Sequence, residues 1–461
     1  MSTRINTLLG HASTRVGTAA LCLAVAGCES YPERTERAFH AFERGDFEQA
    51  GTLYEDRETT RSEFLSGAEA GSVALAAGDW ETTLEQLGRA SNASEEIENA
   101  ALISLDSFGE SLVSFAVSER LSEYVGEGYE RVMLHAQMGM AYLAQGLFES
   151  ARVEVKRANA LLESEEALYE KEYAAGGLGH LLSAIVYELE GSPDEAYIDY
   201  KRMYEKGLGG RLVGRSLVRL ATLLGRDDEL PEWESRFGAD AVRPVGAAEI
   251  VVIAGVGLGP YKVENTISVP TGNGLLQWSV PRYRSRSGGA NGVELVVEGS
   301  GQAIGSVVVE DISTVASENL EDRIAWLAVR SGVRAVMKQQ LTQHLDDQWD
   351  GAGFLLGTLF TATTERADLR AWQTLPDTFQ AARVFLAPGI HTLTLRAVGG
   401  EAQTLGDVEL VAGETLFVFA RTVGSRLYAH PIGGRFVEPD SLDPELDTPE
   451  PEPSPEPVLE G

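Results

Sequence analysis

Three short turns at regular spacing constrain this chain more than any other feature: Gly45-Asp46-Phe47, Gly78-Asp79-Trp80 and Gly146-Leu147-Phe148. They begin 33 and 68 residues apart, one and two periods of about 34. A fourth copy, Gly191-Ser192-Pro193, arrives with about eleven extra residues. The text between turns is rich in Ala, Leu, Glu and Arg, all good helix formers. Three of the turns are followed by a small residue and, four positions later, a larger one: Ala50 and Tyr54, Ala151 and Val155, Ala196 and Tyr200. The small residue lets two helices approach and the larger one fills the gap. A single helix pair cannot bury its own apolar face, so such pairs must stack. The spacing predicts four or five imperfect helix pairs within residues 28–240, with 102–121 fitting the period poorly. A generic helical bundle is the alternative.

A period of about 34 is that of tetratricopeptide repeats, so the first unit reads as a tetratricopeptide-like solenoid. After Gly238 the grammar changes to short β-branched runs bounded by Gly, Pro or Asn, which predict strands. These are Glu249 to Ala254, Leu275 to Val280, Gly292 to Val297, Gly305 to Val309, Val384 to Leu386, Thr392 to Leu395, Val408 to Val411 and Thr415 to Ala420. Between them, over 317–349, Leu320, Ile324, Leu327, Val333, Met337, Leu341 and Leu345 recur every three or four residues and predict one long amphipathic helix. Residues 245–437 thus form a second, α+β, β-rich and sandwich-like domain. From 438 to 461 the chain carries nine acids and seven prolines with no Lys or Arg, a composition that predicts a disordered acidic tail. The fold class is multidomain: solenoid, β-rich domain, tail.

The first 27 residues read as a secretion signal. Arg4 and Arg15 precede an apolar core from Val16 to Val25, too short to span a bilayer, and small residues precede Cys28. Leu23-Ala24-Val25-Ala26-Gly27-Cys28 resembles a bacterial lipobox. That resemblance implies cleavage before Cys28 and acylation of its thiol and new amine, palmitate being one such chain. Several chains matter, because one alone gives only marginal membrane residence. Glu29 is not the Asp that retains many such lipoproteins in the inner membrane, so the resemblance implies the periplasmic face of the outer membrane. Cys22 lies inside the signal, so the mature chain keeps one cysteine and has no disulfide.

A formal charge of −32 argues against nucleic-acid partners, whose phosphates are met by Lys and Arg. Gly255-Val256-Gly257-Leu258-Gly259 is followed by Pro260 and strand text, where a dinucleotide loop needs a helix N-terminus. Gly214-Arg215-Ser216 lacks the closing Gly of a nucleophile elbow. The seven histidines form no ligand pair at helical or finger spacing, and Asp346, Asp347 and Asp350 do not alternate as a calcium loop would. The expectation is no cofactor, no metal and no catalytic residue. What remains is a polar cluster, Glu365, Arg366, Asp368, Arg370 and Trp372 with Arg383. Arg fits carboxylates bidentately and stacks on aromatic rings, so the cluster reads as a salt-bridged corner, a binding site, or a pair of acids for catalysis.

Five stretches together resemble a bacterial lipoprotein family of no assigned activity that joins a tetratricopeptide-like array to a mixed, β-containing C-terminal domain. They are Tyr129-Glu130-Arg131-Val132, Ala151 to Glu154 with Arg157-Ala158-Asn159, Ala196 to Tyr200, Gly259-Pro260-Tyr261-Lys262, and 365–376 with Arg383. The acidic tail departs from that family. On this basis the expected function is a lipid-anchored periplasmic scaffold or adaptor for envelope proteins, without catalysis of its own. Tyr129, Arg131, Arg152, Glu154, Arg157, Tyr197 and Tyr200 are candidate partner-binding residues, inter-repeat packing being the other reading. The alternatives are a cell-wall enzyme acting through Glu365 and Asp368, and a purely structural envelope lipoprotein.

Overall fold

The computed structural model describes residues 29–107, 123–241, 243–271, 274–286, 288–299, 301–330 and 367–437. The signal segment, Cys28, Glu365, Arg366, the second half of the expected long helix and the acidic tail lie outside these residues.

Eleven helices fill the first half of the described chain. α1 (Tyr31–Glu43) and α2 (Phe47–Glu55) form the first hairpin, and α3 (Arg57–Thr60) is a single turn. α4 (Glu63–Ala77) pairs with α5 (Trp80–Ser107), α6 (Gly128–Ala144) with α7 (Phe148–Tyr169), α8 (Gly177–Leu189) with α9 (Pro193–Glu205), and α10 (Gly210–Leu224) with α11 (Leu230–Phe237). Each hairpin also packs on the next, α2 on α4, α5 on α6, α7 on α8 and α9 on α10. The recurring glycine has the same job at every turn. Gly45, Gly78, Gly146 and Gly191 adopt φ between 72° and 77°, the left-handed region that suits only glycine without strain. Ala50, Ala151 and Ala196 are buried, as are Tyr54, Val155 and Tyr200. In the second hairpin Thr83 and Leu87 occupy the same two positions, also with no exposure. The helices are therefore held by a repeating small-then-large contact, which is how 34-residue units bury a face none could bury alone.

The remainder is two five-stranded sheets and a ribbon. The first sheet has the order β11-β10-β1-β7-β6, built from β1 (Ala248–Val256), β6 (Val307–Asp311), β7 (Thr378–Leu386), β10 (Thr415–Val423) and β11 (Arg426–Ile432). The second has the order β12-β9-β8-β4-β5, from β4 (Val293–Val297), β5 (Gln302–Gly305), β8 (Gly389–Ala397), β9 (Ala402–Leu410) and β12 (Arg435–Phe436). β2 (Tyr261–Thr271) and β3 (Gly274–Arg284) make a separate two-stranded ribbon. α12 (Ile312–Arg330) follows β6 directly and starts five residues before the expected helix, because the Asp311 carboxylate accepts the Thr314 N–H at 2.9 Å and caps it.

β1 explains the layering. It is buried at all nine residues, runs parallel to β10 and antiparallel to β7, and its apolar text is continuous, as expected for a strand covered on both faces. Ile250, Val252 and Ala254 point into a core shared with Val293, Leu295, Leu393, Leu395 and Val408 of the second sheet. Val251 and Ile253, with Phe379, Ala381, Phe417 and Phe419, point the other way, into the core of the helical array. The molecule has three layers, helices on sheet on sheet, and the array and the sandwich share one hydrophobic core where the sequence suggested two separate units. Among the described residues no helix is long and apolar enough to cross a membrane.

Helix and strand backbones pack closely at Gly177, where a Cβ would lie 1.8 Å from the carbonyl oxygen of Val309 in β6. Neither backbone can move without opening the shared core. Gly177→Ala is expected to lower stability by about 2 kcal/mol, in the range of core overpacking. Urea denaturation checks this, and an unchanged midpoint would show that the two layers separate freely.

Candidate functional site

The inner face of the array holds a segment of the chain itself. Residues 371–376, between α12 and β7, run through the interface fully buried, with Ala371 and Trp372 each 1% exposed. Trp372 meets the edge of Phe64 from α4 at 6.4 Å between ring centroids and 89° between planes. Its indole N–H donates to the Thr374 hydroxyl at 3.2 Å. An extended segment exposes amides that need acceptors, and inside a protein an unpaired one is costly. Two glutamates supply them. Glu69 of α4 accepts the N–H of Gln373 at 2.8 Å, the N–H of Thr374 at 2.9 Å, the Thr374 hydroxyl at 2.7 Å and the Tyr31 hydroxyl at 2.7 Å. Glu130 of α6 accepts the N–H of Trp372 at 2.8 Å and the Tyr124 hydroxyl at 2.7 Å. Four donors fill the lone-pair positions of the Glu69 carboxylate, which leaves none aimed at an outside ligand.

A third glutamate repeats the device with donor and acceptor elements exchanged. Glu310 on β6 accepts the N–H groups of Gly176 and Leu178 at 3.1 Å each, at the start of α8. Burial raises both carboxyl groups, Glu69 and Glu310, to about 7, the amide donors pulling the other way. The sign of the linkage follows. Unfolded, each group releases its proton near 4.5, so between 4.5 and 7 the folded chain binds more protons, and stability falls as pH rises through that window. For Glu310 the change is about 3 kcal/mol at most. Glu310→Gln is expected to be less stable at every pH but to lose its share of the fall between pH 5 and 7.5. Chemical denaturation at those two pH values tests this, and equal slopes for both chains would refute it.

The ribbon is fastened to the same face. Lys262, at the base of β2, is 3% exposed and donates to Glu127, which also accepts from Arg323 of α12. Burial pushes the Glu127 carboxyl up, but the two cations outweigh it and hold it below the usual range. The Tyr129 and Tyr283 hydroxyls meet at 2.9 Å beside it. Arg421 of β10 is also buried, and burial pulls it down to about 9. Its guanidinium donates to the carbonyls of Gly255, Gly257, Thr422 and Thr374.

The seven candidate partner-binding residues separate into two groups. Tyr129, Tyr197, Tyr200 and Glu154 are buried, so they are packing and not an open groove. The Tyr197 hydroxyl donates to Glu229 at 2.8 Å and accepts the Trp233 indole N–H at 2.8 Å, while the Tyr200 hydroxyl donates to Glu188 at 2.9 Å. Glu154 faces His135 Nδ1 at 2.7 Å. Arg131, Arg152 and Arg157 reach the surface, paired with Glu165 at 2.8 Å, Glu190 at 3.3 Å and Glu154 at 3.3 Å. The polar cluster is likewise divided. Asp368 and Arg370 form a local bidentate pair at 2.9 and 2.7 Å. Burial raises the Asp368 carboxyl, yet the bonds and charge of Arg370 win and hold it low, which suits an ion pair and not a proton donor. Trp372 goes into the array. Arg383 sits elsewhere, on β7, donating to Glu188 at 2.9 Å and to Glu249.

Residues the sequence reading passed over carry the interface: Glu69, Glu127, Glu188, Glu310 and Arg421. It also passed over a repeated pair. His180 Nδ1 faces Asp199 at 2.9 Å, and both this pair and His135 with Glu154 are 19 residues apart. In each the histidine lies eleven residues before the turn glycine and the acid eight after it.

Comparison with protein-family models and with curated proteins finds no match. Thirty-six chains among solved structures match. The MamA protein is 14% identical, over 45% of this chain and 88% of its own, with a TM-score of 0.31. PilW, a type IV pilus biogenesis factor, is 16% identical over 46% and 93%, with a TM-score of 0.25. A tetratricopeptide repeat protein from Parabacteroides merdae is 12% identical over 44% and 78%, with a TM-score of 0.19.

Proposed function

We propose that this chain is a lipid-anchored periplasmic adaptor that presents a rigid helical surface to envelope proteins and does no chemistry of its own. The observation that carries the reading is how the buried acids are used. Glu69, Glu130 and Glu310 are engaged by backbone amides of the chain, and Glu127 and Glu188 by its own cations. Such an interior stiffens a body and leaves recognition to the outside. The stacked hairpins supply that outside, a continuous helical surface of the kind repeat arrays use for partners. Arg152 and Arg157 of α7 lie on it, Arg157 54% exposed. The tether is short: α1 begins three residues after Cys28, about 10 Å of extended chain. A lipid on Cys28 therefore holds the first hairpin close to the bilayer.

Two measurements test this. Radiolabelled palmitate should enter the wild-type chain and not Cys28→Ser. A photocrosslinker replacing Arg152 or Arg157 should trap the same envelope protein in intact cells. No label removes the anchor. Turnover of purified peptidoglycan by the isolated chain, or no crosslink from either position, removes the adaptor.

A further inference from the structure

A groove of about 480 Å³ runs between α10 and the edge of the sandwich. One wall carries Arg211, Arg215 and Arg219, and the other Arg383 and Phe385 of β7 with Ile304 of β5. The three arginines of α10 are four apart, so they share a face and rise about 6 Å per step. On a chain of net charge −32 this is a local excess of cations. Glu188, which lies outside the groove's lining, pairs with Arg219 at 2.7 Å and with Arg383 at 2.9 Å. Among the described residues Arg215 pairs only with Asp240, at 3.3 Å and with the acid 77% exposed, a pair of small worth. Among the described residues Arg211 has no ionic partner. The α10 wall of the groove is therefore cationic, and Phe385 and Ile304 line the opposite wall.

We propose that residues 438–461 of the same chain dock in this groove. The inference is independent of the lipid anchor and of the adaptor reading. The charge matches: the segment carries nine acids, seven prolines and no cation. In Glu450-Pro451-Glu452-Pro453 the acids alternate with prolines. The geometry of exit allows it. Val437 donates its N–H to Asp407 beside β12, and β12 and β5 are the two edges of one five-stranded sheet. Four strand spacings are about 19 Å, whereas 24 extended residues reach about 70 Å. Tethering at that length gives an effective concentration near millimolar, enough for a weak site to be filled.

The probe is a labelled peptide of residues 438–461, titrated by fluorescence anisotropy into three forms of the full chain. These are the wild type, a form whose nine tail acids are replaced by their amides, and that form with Arg211→Ser and Arg215→Ser. The amide-tail chain should bind the peptide at least tenfold more tightly than the wild type, because its own tail no longer competes. Binding should weaken with added salt and be lost with the two serines, while thermal unfolding stays the same in the two amide-tail forms and is slightly higher in the wild type, whose docked tail binds only the folded chain. Equal affinity of the first two forms overturns docking of the chain's own tail and leaves the groove open to acidic segments from elsewhere. Absence of binding, or binding indifferent to Arg211 and Arg215, overturns the site.

Discussion

Glu69→Ala is expected to destabilise the chain by about 4 kcal/mol, and to do so by releasing residues 371–376 from the array. The substitution leaves the N–H groups of Gln373 and Thr374 and the hydroxyls of Thr374 and Tyr31 facing an apolar gap. Each stranded buried donor costs about 1 to 3 kcal/mol, and the hydroxyls can turn to other acceptors where the amides cannot. Two amides set the floor of the effect, and the lost packing around Glu69, which is fully buried, adds to it. Tyr31→Phe removes only one donor and should cost about 1 kcal/mol. Urea denaturation gives both values. A loss for Glu69→Ala no larger than that for Tyr31→Phe would mean that another group or a water satisfies the amides, and that the carboxylate does not fasten the segment.

The parts of this fold that were legible in the sequence are those written in a local period. A glycine that must take positive φ, and a small residue five positions on, recur whatever surrounds them. The turns at Gly45, Gly78, Gly146 and Gly191 were therefore visible, and so was β1, whose unbroken run from Ile250 to Ala254 needs cover on both faces. The joining of array to sandwich was not, because it depends on residues far apart in the chain. Glu69 and Thr374 are 305 residues apart, and Lys262 and Glu127 are 135 apart. One signal was available. Glu69 sits among Ala68, Ala70 and Gly71 in a helix buried along most of its length, where a lone acid has to have donors brought to it. The tyrosines at 129, 197 and 200 misled for the complementary reason. An aromatic at a repeat position is equally suited to a groove and to a core, and only the neighbouring hairpin decides which. Arg383 was grouped with Trp372 by nearness in sequence, but eleven residues that lead into and along a strand put it at a different contact altogether.

That separate contact makes Arg383→Met the second large effect, about 4 kcal/mol at pH 7. Arg383 is 9% exposed, donates to both oxygens of Glu188 at 2.9 Å, to Glu249 and to the Tyr200 hydroxyl, and so ties α8 and α9 to β7 and β1. Methionine fills much of the volume but leaves the acids short of a cation, and breaking a buried pair from one side costs about 3 to 5 kcal/mol. The pH dependence identifies the cause. Burial lifts the Glu188 carboxyl, but Arg383 and Arg219 outweigh it and hold it at about 2, below its ordinary 4.5. In the wild type this acid adds stability above 4.5, and the contribution is lost as pH falls toward 2. With Arg383 gone the carboxyl rises, takes its proton sooner and no longer suffers the missing partner. The difference between the two chains should therefore be largest at pH 7 and shrink steadily toward pH 3. Adding Glu188→Gln to Arg383→Met should restore part of the loss at pH 7, because one uncompensated charge is removed. A deficit that is the same at pH 3 and pH 7, and that Glu188→Gln does not reduce, would assign the effect to packing and dissolve the electrostatic account of how the last hairpins are bound to the sheet.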